Sequence, residues 1–439
     1  MTEKQFISRR NFFKRSASAG AAALCLPQLV PASALGANGA VAPSERVTLG
    51  CIGVGWMGTS NLESFLEQQD AQVVALCDLD DDHLAHAKSL VDRHYGNSDC
   101  RTYHDFRELL ARRDIDAVSL GLPDHWHAIP AIAAAQAGKD IYGEKPLSHS
   151  LAEGRAMCDA VARHNRIWQT GSWQRSEYRF RFACELVRNG RIGKVKHVEV
   201  GLPAGHTDFA GTKGQEQITP PPPQLDYDFW LGPAPYAPYA KARVHKNWRW
   251  ILDYGGGQLL DWVGHHVDIA HWGMGFDTSS PVEVEGEGEY PSTGLYNTAT
   301  RYRLLTRYAD GLTMIIAGGH DDIRGGTKWI GEHGWIWVTR GAMDAEPKKL
   351  LREKIGPEEI HLYRSPGHWR NFLDCVKSRA RTITPCEVAH HSATPGHLGQ
   401  IAMQLGRKIR FDPEKEQIIG DPTASMMLGN AMRSPWRLP

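Results

Sequence analysis

The sequence predicts an α/β protein with an open parallel sheet in its N-terminal part and an α+β domain with a large, mainly antiparallel open sheet behind it. The parallel sheet is predicted by short apolar runs that alternate with helical segments from residue 46 onward. The second sheet is predicted by strand-like runs between residues 300 and 338 that are separated by turns. A chain of 439 residues is long enough for two such domains.

A glycine-rich loop after the first predicted strand indicates what the N-terminal domain binds. The buried strand Val47–Ile52 leads directly into Gly53, Gly55 and Gly58, and helical residues follow from Thr59. In a GxGxxG loop the first glycine permits a tight turn, the second lets the backbone approach a pyrophosphate, and the third allows close helix–strand packing. The helix N-terminus then offers free N–H groups to the phosphates. The context predicts a dinucleotide-binding Rossmann domain.

The acidic residue after the second predicted strand indicates which dinucleotide is bound. Val73–Cys77 reads as that strand, and Asp78 follows it at once. Its carboxylate is expected to accept hydrogen bonds from the adenosine ribose, and it would repel a 2′-phosphate. Because no Arg or Lys occurs in the next four residues, the sequence favours NAD over NADP.

Further predicted strands end in residues that lie at the same edge of the sheet. The strand 116–122 runs into an HxH loop, and the strand 140–142 runs into Glu144-Lys145-Pro146. Ligands of open α/β sheets bind outside the carboxyl ends of the strands. The histidines are expected to pack against the cofactor or to form hydrogen bonds, with metal ligation a less favoured alternative. The predicted cofactor-binding residues are Gly53, Gly55, Trp56, Met57, Gly58, Asp78, Leu122, Pro123, His125, His127, Glu144 and Lys145.

In the second domain, an apolar helix carries a carboxylate and an imidazole four residues apart. Asp261 and His265 would share one face of an α-helix that three glycines introduce. A carboxylate beside an imidazole orients it and tunes its pKa, as a general base requires. Zinc binding by the pair is possible chemically but is less favoured, and no metal is predicted.

The N-terminus reads as an export signal followed by a short leader. Ser8-Arg9-Arg10 precedes the apolar run 17–30, and the small residues 32–34 resemble a cleavage site. We therefore predict a twin-arginine signal at 1–34, a leader at 35–45, the Rossmann domain at 46–167 and the second domain at 168–439. The protein would be exported to the periplasm, with no membrane-spanning segment beyond the signal.

Charge and cysteine usage exclude some classes of function. Lys and Arg together number 50, as do Asp and Glu, so no nucleic-acid footprint is present. The cysteines show no CxxC pair, and we expect no disulfides. Cys51 and Cys77 lie in apolar strands and are predicted to be buried thiols.

These motifs together resemble the glucose–fructose oxidoreductase, inositol dehydrogenase and rhizopine-catabolism (Gfo/Idh/MocA) family. The resemblance rests on the glycine loop at 53–58, on Glu144-Lys145-Pro146 and on the Asp261-x-x-x-His265 pair. It extends from Arg46 nearly to the C-terminus, and the run from 370 to 407 resembles a secreted bacterial branch. Val263-Gly264 reverses an order that is common in relatives, but it keeps the Asp–His spacing.

The resemblance implies a catalytic triad of Lys145, Asp261 and His265. His265 would take the proton of the substrate hydroxyl, Asp261 would orient His265, and Lys145 would stabilise the developing alkoxide while hydride passes to the nicotinamide. The candidate sugar contacts are Trp173, Gln174, Arg175, Trp248 and Tyr254.

Three functions are compatible with the sequence. The first is NAD-dependent oxidation of a secondary hydroxyl of a sugar, glycoside or cyclic polyol. The second is a redox-neutral reaction with a tightly held cofactor, either glycoside cleavage or sugar–sugar oxidoreduction. The third is a non-catalytic sugar or dinucleotide sensor, which the intact triad argues against. The expected partners are a small sugar or glycoside and a second copy of the chain, in a dimer or tetramer.

Overall fold

A computed structural model describes residues 41–438, and the chain from Val47 onward forms one compact unit. Residues 41–46 belong to a separate unit, in which Pro43–Glu45 forms a 3-10 turn. The predicted signal at 1–34 and most of the predicted leader lie outside the described residues. Within the described range no helix is both long and apolar enough to cross a bilayer.

The first half of the compact unit is a six-stranded, fully parallel sheet with the order β3-β2-β1-β4-β5-β6. Its strands are β1 Val47–Ile52, β2 Ala71–Cys77, β3 Arg101–Tyr103, β4 Ala117–Leu120, β5 Asp140–Gly143 and β6 Trp168–Thr170. Its helices are α1 Trp56–Leu66, α2 Asp81–Tyr95, α3 Phe106–Leu110, α4 Ala128–Gln136 and α5 Leu151–Arg163. The strand order reverses between β1 and β4, which opens a crevice at the carboxyl ends of these strands.

The last strand of this sheet lies beyond the boundary drawn from the sequence. Trp168–Thr170 was assigned to the second domain, but it pairs in parallel with β5 through Ile141 and Trp168. The parallel sheet therefore extends to Thr170. A three-residue strand carries too few residues for its apolar pattern to reveal which sheet it joins.

The second half is built on a nine-stranded sheet with the order β13-β12-β11-β7-β10-β9-β8-β14-β15. Only the β7–β10 pair is parallel, so the predicted mainly antiparallel sheet is confirmed. Its strands are β7 Val195–Leu202, β8 Glu283–Glu289, β9 Arg301–Arg307, β10 Thr313–Gly318, β11 Gly326–Gly331, β12 Gly334–Thr339, β13 Ala342–Glu346, β14 Ile409–Asp412 and β15 Gln417–Ile418.

The remaining helices pack on one face of this sheet or return to the parallel sheet. They are α6 Tyr178–Arg188, α7 Tyr227–Leu231, α8 Gly257–Trp262, α9 Asp268–Met274, α10 His368–Ser378, α11 Cys386–Leu405 and α12 Pro422–Met426. Phe180 of α6 and Ile269 of α9 share a core with Val198, Met314 and Trp329 of the sheet. Burying these side chains supplies on the order of 2 kcal/mol each.

The opposite face of the large sheet is polar and half-exposed. Lys328 on β11 lies 3.2 Å from Glu199 on β7, and His197 contacts Thr313 across the parallel pair. This alternation of buried and polar residues is what an antiparallel sheet with one solvated face requires.

The predicted buried thiols are confirmed. Cys51 and Cys77 are at most 3% exposed in β1 and β2. Burial raises the pKa of both thiols above their ordinary range. The seven cysteines of the described part are all buried free thiols.

Candidate active site

The glycine loop has the shape that a pyrophosphate requires. Gly53 has a φ of +77°, a conformation that side chains rarely adopt. A Cβ on Gly58 would lie 1.9 Å from the carbonyl oxygen of Gly53, so only glycine permits this approach of helix to strand. Helix α1 begins at Trp56 after Gly55, and no side chain caps it. Its first N–H groups are therefore available to the phosphates.

Asp78 closes the ribose end of the loop as predicted for a dinucleotide site. Its carboxylate accepts hydrogen bonds from the backbone N–H of Val54 at 2.7 Å and of Asp80 at 3.0 Å. These bonds fix the carboxylate at the end of β2, next to the glycine loop. The residues present thus fit NAD, which brings the hydride acceptor when bound.

A single cleft joins the glycine loop to the predicted catalytic lysine. Its lining includes nine of the predicted cofactor residues, which are Gly53, Gly55, Trp56, Met57, Asp78, Leu122, Pro123, Glu144 and Lys145. Asp261 and Trp248 line the same cleft, so the structure brings two catalytic candidates, Lys145 and Asp261, and one sugar-contact candidate to it.

The histidines of the HxH loop do not line this cleft. His125 Nε2 lies 3.1 Å from the carbonyl oxygen of Trp230, and His127 lies within hydrogen-bond distance of the carbonyl oxygens of Pro146 and Leu122. Both rings are buried and hold loops in place, which corrects their prediction as cofactor contacts. The sequence marks their loop correctly, but it does not give the direction of the side chains.

Lys145 lies in a buried charge network at the inner end of the cleft. Its Nζ donates to the carboxylate of Asp261 at 2.8 Å and to the carbonyl oxygen of Asp261 at 3.0 Å. Arg249 donates from Nε to the same carboxylate at 3.2 Å. Burial alone would raise the pKa of Asp261, but the charges of Lys145 and Arg249 hold it below its ordinary value.

His265 is buried beside this network, but it does not line the cleft and is not paired with Asp261. Among the described residues, its Nδ1 has no hydrogen-bond partner. Burial, followed by the charges of Lys145 and Arg340, lowers the pKa of His265 well below its ordinary value. The ring is therefore neutral near pH 7 and can accept a proton.

The predicted orientation of His265 by Asp261 is not what the structure shows. Helix α8 ends at Trp262, and Val263–Val267 forms a π-helical turn before α9. The prediction assumed an uninterrupted α-helix across both residues, and the wider turn breaks that register. Asp261 instead serves as the counter-ion of Lys145 and Arg249.

Two residues of the site were missed from sequence. Asp124 lies in the loop after β4, lines the cleft and is 4% exposed. Burial raises the pKa of Asp124 well above its ordinary value, which favours the protonated acid. Its position at the carboxyl edge of a parallel strand was a usable signal. Arg249, the partner of Asp261, had no local signal.

Two of the four other sugar-contact candidates, Arg175 and Tyr254, are buried and do not line the cleft. Arg175 is 2% exposed and forms ion pairs with Asp268 at 2.7 Å and with Asp277 at 2.8 Å. Tyr254 is fully buried. These two residues support the fold, which corrects their prediction as substrate contacts.

Glu144, the residue before Lys145, is buried and anchors this segment to helix α1. It is 6% exposed and accepts a 2.9 Å hydrogen bond from Nδ2 of Asn61 on α1. Burial raises the pKa of Glu144 above its ordinary value. This hydrogen bond fixes Glu144, the residue directly after β5, to α1, the helix that follows the glycine loop.

A segment of the second domain closes the adenosine end of the cleft. Within this cap segment, residues 224–249, Leu225 forms a β-bridge with Asp80. The N–H of Asp226 donates to the carbonyl of Leu79 at 3.0 Å, and Nε2 of His245 lies 3.4 Å from the Asp80 carboxylate. Within the described range, one group has the spacing of metal ligands, and it lies here: Asp80, His83 and His245.

Comparison with known protein families shows which family the chain belongs to. Residues 47–172 match the Gfo/Idh/MocA oxidoreductase family's NAD-binding Rossmann fold, and residues 181–438 match its C-terminal alpha/beta domain. The chain belongs to this family. The Gfo/Idh/MocA fold and the NAD-binding domain predicted from sequence are thereby confirmed.

The similar proteins carry names of two kinds, dehydrogenase and alpha-N-acetylgalactosaminidase. A myo-inositol 2-dehydrogenase of Thermotoga maritima is 27% identical over 84% of this chain and 97% of its own length. An alpha-N-acetylgalactosaminidase of Shewanella oneidensis is 30% identical over 38% of each chain. The WlbA dehydrogenase of Bordetella pertussis, solved with NADH and UDP-GlcNAcA, has a TM-score of 0.63 at 18% identity and covers 84% of this chain and 99% of its own.

Proposed function

We propose that this protein oxidises a secondary hydroxyl of a cyclic sugar, glycoside or polyol, with NAD as the hydride acceptor. The contact between Lys145 and Asp261 carries the proposal, because it fixes an ammonium group at the inner end of an NAD cleft. The relative named a myo-inositol 2-dehydrogenase, which matches over nearly its whole length, supports this class of substrate.

Lys145 is suited to hold the oxygen that is oxidised. Its side chain is 12% exposed, and Asp261 fixes its direction. An ammonium group held in this way stabilises the negative charge that develops on a hydroxyl as its proton leaves. The carboxylate of Asp261 offsets part of the desolvation cost of placing this ammonium group in a largely buried position.

His265 is suited to receive the hydroxyl proton. Because burial and two nearby cations lower the pKa of His265, its ring is unprotonated at neutral pH. Its buried Nδ1 has no partner in the described chain, so the imidazole is not held in one tautomer by a hydrogen bond there.

The test is reduction of added NAD by purified protein with a panel of inositols, hexoses and methyl glycosides. Wild-type protein is expected to form reduced nicotinamide with at least one cyclic polyol or glycoside. Lys145→Met is expected to lose roughly 10²–10³-fold in kcat. Lys88→Met is the matched control, because Lys88 also pairs with an acid, Asp92, but lies on helix α2 outside the cleft.

A redox-neutral reaction is the second candidate function, and the cap segment favours it. Leu225 of the cap segment forms a β-bridge with Asp80 at the adenosine end, and we expect this contact to slow the exchange of a bound dinucleotide. A cofactor that exchanges slowly suits a reaction that returns the hydride within one cycle. The partial match to a relative named a galactosaminidase adds support.

The two candidates differ in their need for added cofactor. If the reaction is redox-neutral, NAD stays bound through gel filtration, and glycoside cleavage proceeds with no NAD added. If the protein is a dehydrogenase, turnover stops when free NAD is removed.

We also propose that the chain is exported through the twin-arginine pathway and assembles with copies of itself. The paired arginines at 9–10 support export, and the polar face of the large sheet offers a surface for a second copy. An intact N-terminus in the periplasmic fraction, measured by mass spectrometry, would contradict cleavage near residue 34. A monomeric mass in solution would contradict the assembly.

A further inference from the structure

Arg340 is held between two tryptophans beside the proposed base. It lies in the turn between β12 and β13, and its Cζ is 4.4 Å from the ring centre of Trp173 and 4.6 Å from that of Trp262. The ring of His265 lies 6.3 Å from the first indole and 5.3 Å from the second. The guanidinium is thus fixed in the immediate surroundings of His265.

The charge of Arg340 has no partner among residues 41–438. No acidic group of that range lies within 4.0 Å of it, and Glu177 and Asp261 act on it only from farther away. Its single hydrogen bond there joins Nε to the side-chain oxygen of Gln174 at 3.3 Å. The two terminal nitrogens, which form the fork of a guanidinium, make none within the described chain.

Comparison with the other arginines that stack on a tryptophan shows that the lack of a carboxylate partner at Arg340 is unusual. Four other arginines stack on a tryptophan, and each of them has a carboxylate within 4.0 Å. These pairs are Arg107 with Asp105, Arg175 with Asp268, Arg249 with Asp261 and Arg324 with Asp344. Arg340 is the exception in this set, and it is exposed to solvent, so its guanidinium fork is open to a ligand.

Two buried polar groups next to Arg340 are also unsatisfied. Nε2 of Gln174 has no partner in the described part, although this residue is fully buried. Nδ1 of His265 is in the same situation. Leaving a buried polar group without a partner costs free energy, and a ligand that supplies the partner removes that cost.

We propose that Arg340 and Gln174 form a subsite for an oxyanion substituent on the sugar ring that is oxidised. The guanidinium fork matches the two oxygens of a carboxylate, and the Gln174 amide adds a donor. The half-exposed indoles of Trp173 and Trp262 flank the group. The proposal narrows the substrate class to sugars that carry an oxyanion. Uronates would supply it as a carboxylate, and phosphorylated sugars would supply it as a phosphoryl group. This inference rests on the proposed function.

Binding can be measured without turnover. The probes are methyl glucuronide, glucose 6-phosphate and methyl glucoside, titrated calorimetrically into NAD-loaded protein. Wild-type protein is expected to bind at least one of the two oxyanion probes about tenfold or more tightly than methyl glucoside. Stronger binding of the uronide would identify a carboxylate, and stronger binding of the phosphate would identify a phosphoryl group. Equal affinity for all three probes overturns the proposal.

Variants assign the preference to this arginine. Arg340→Gln is expected to abolish the preference, and Arg340→Lys is expected to retain part of it. Arg324→Gln is the matched control, because Arg324 also stacks on a tryptophan of the same sheet but already has Asp344 as its partner. A preference that survives Arg340→Gln, in protein whose thermal unfolding matches the wild type, also overturns the proposal.

The outcome is separable from that of the proposed function. An oxyanion preference without NAD reduction by any of these probes or by any member of the panel of inositols, hexoses and methyl glycosides leaves the subsite intact and refutes the dehydrogenase. Turnover of neutral polyols without an oxyanion preference supports the dehydrogenase and refutes the subsite.

Discussion

The ammonium of Lys145 donates a 2.8 Å hydrogen bond to the carboxylate of Asp261, which is 116 residues away along the chain. The lysine follows a strand of the parallel sheet, and the aspartate lies on the helix that precedes the π-helical turn of the second domain. The proposed catalytic lysine and its counter-ion thus come from different parts of the chain. The site is complete only when both parts are folded together.

Removing the counter-ion should impair the lysine without removing it. In Asp261→Asn, the cations of Lys145 and Arg249 lose their shared carboxylate, and Lys145 loses the bond that directs it. We expect kcat to fall by roughly 10²-fold or more. Steady-state kinetics with the best substrate of the panel provides the measurement.

A matched variant separates this effect from general loss of charge. Asp92→Asn breaks the pair with Lys88, which lies on helix α2 and does not line the cleft. Its kcat should equal that of the wild type. If both asparagine variants keep full turnover, the role given to Asp261 is wrong.

Cofactor choice should depend on Asp78. Its carboxylate lies at the end of β2 and accepts a hydrogen bond from Val54 of the glycine loop. Asp78→Ser removes the charge that would repel a 2′-phosphate, and it keeps a group that can accept from the loop. We expect the ratio of NADP to NAD affinity to rise about tenfold or more, measured by titration with both cofactors. An unchanged ratio would show that another residue sets the choice.

The nucleotide loop could be predicted from sequence because its determinants are local. The strand, the glycines at 53, 55 and 58 and the acid at 78 occur within 32 residues, and the structure keeps that order. The spacing of the glycines directly reflects how closely the backbone must approach itself at Gly58.

Other parts of the site could not be predicted because they depend on contacts distant in sequence or on a change of helix type. Arg249 and Arg340 reach the site through tertiary packing, and their neighbours in sequence give no signal. The π-helical turn after Trp262 separates Asp261 from His265, whereas a spacing of four residues indicates a shared face only in an α-helix. For His125 and His127, the sequence indicates a position at the edge of the parallel sheet, but it does not indicate the direction of the side chains.

A single methyl group should test the fit of the nucleotide loop. In Gly58→Ala the new Cβ would lie 1.9 Å from the carbonyl oxygen of Gly53, so the loop must shift. We expect NAD affinity to fall by about tenfold or more, measured by calorimetric titration. Gly325→Ala is the control, because a Cβ there meets no atom within 4 Å. Equal affinity in both variants would show that the loop tolerates the shift.

Buried histidines should make the folded protein sensitive to acid. Burial lowers the pKa of each of six of them from 6.5 to about 3 or 4, and these are His125, His149, His266, His271, His368 and His397. In the unfolded chain the same side chains titrate near their ordinary value of about 6.5. Below that pH the unfolded state binds more protons than the folded state, so stability is complete above it and is lost as pH falls toward the folded pKa values.

The contribution of one histidine can be isolated with His397→Gln. His397 is 6% exposed, and within the described chain its Nε2 has no hydrogen-bond partner, so the substitution breaks no bond of that atom. Each buried histidine adds up to about 1.4 kcal/mol of destabilisation per pH unit below about 6.5. The unfolding free energy of His397→Gln should therefore fall less steeply between pH 6.5 and pH 4 than that of the wild type, as measured by urea denaturation at several pH values. His86→Gln, at an exposed position on α2, should follow the wild-type slope. Parallel slopes for His397→Gln and the wild type would show that His397 does not take part in the acid sensitivity.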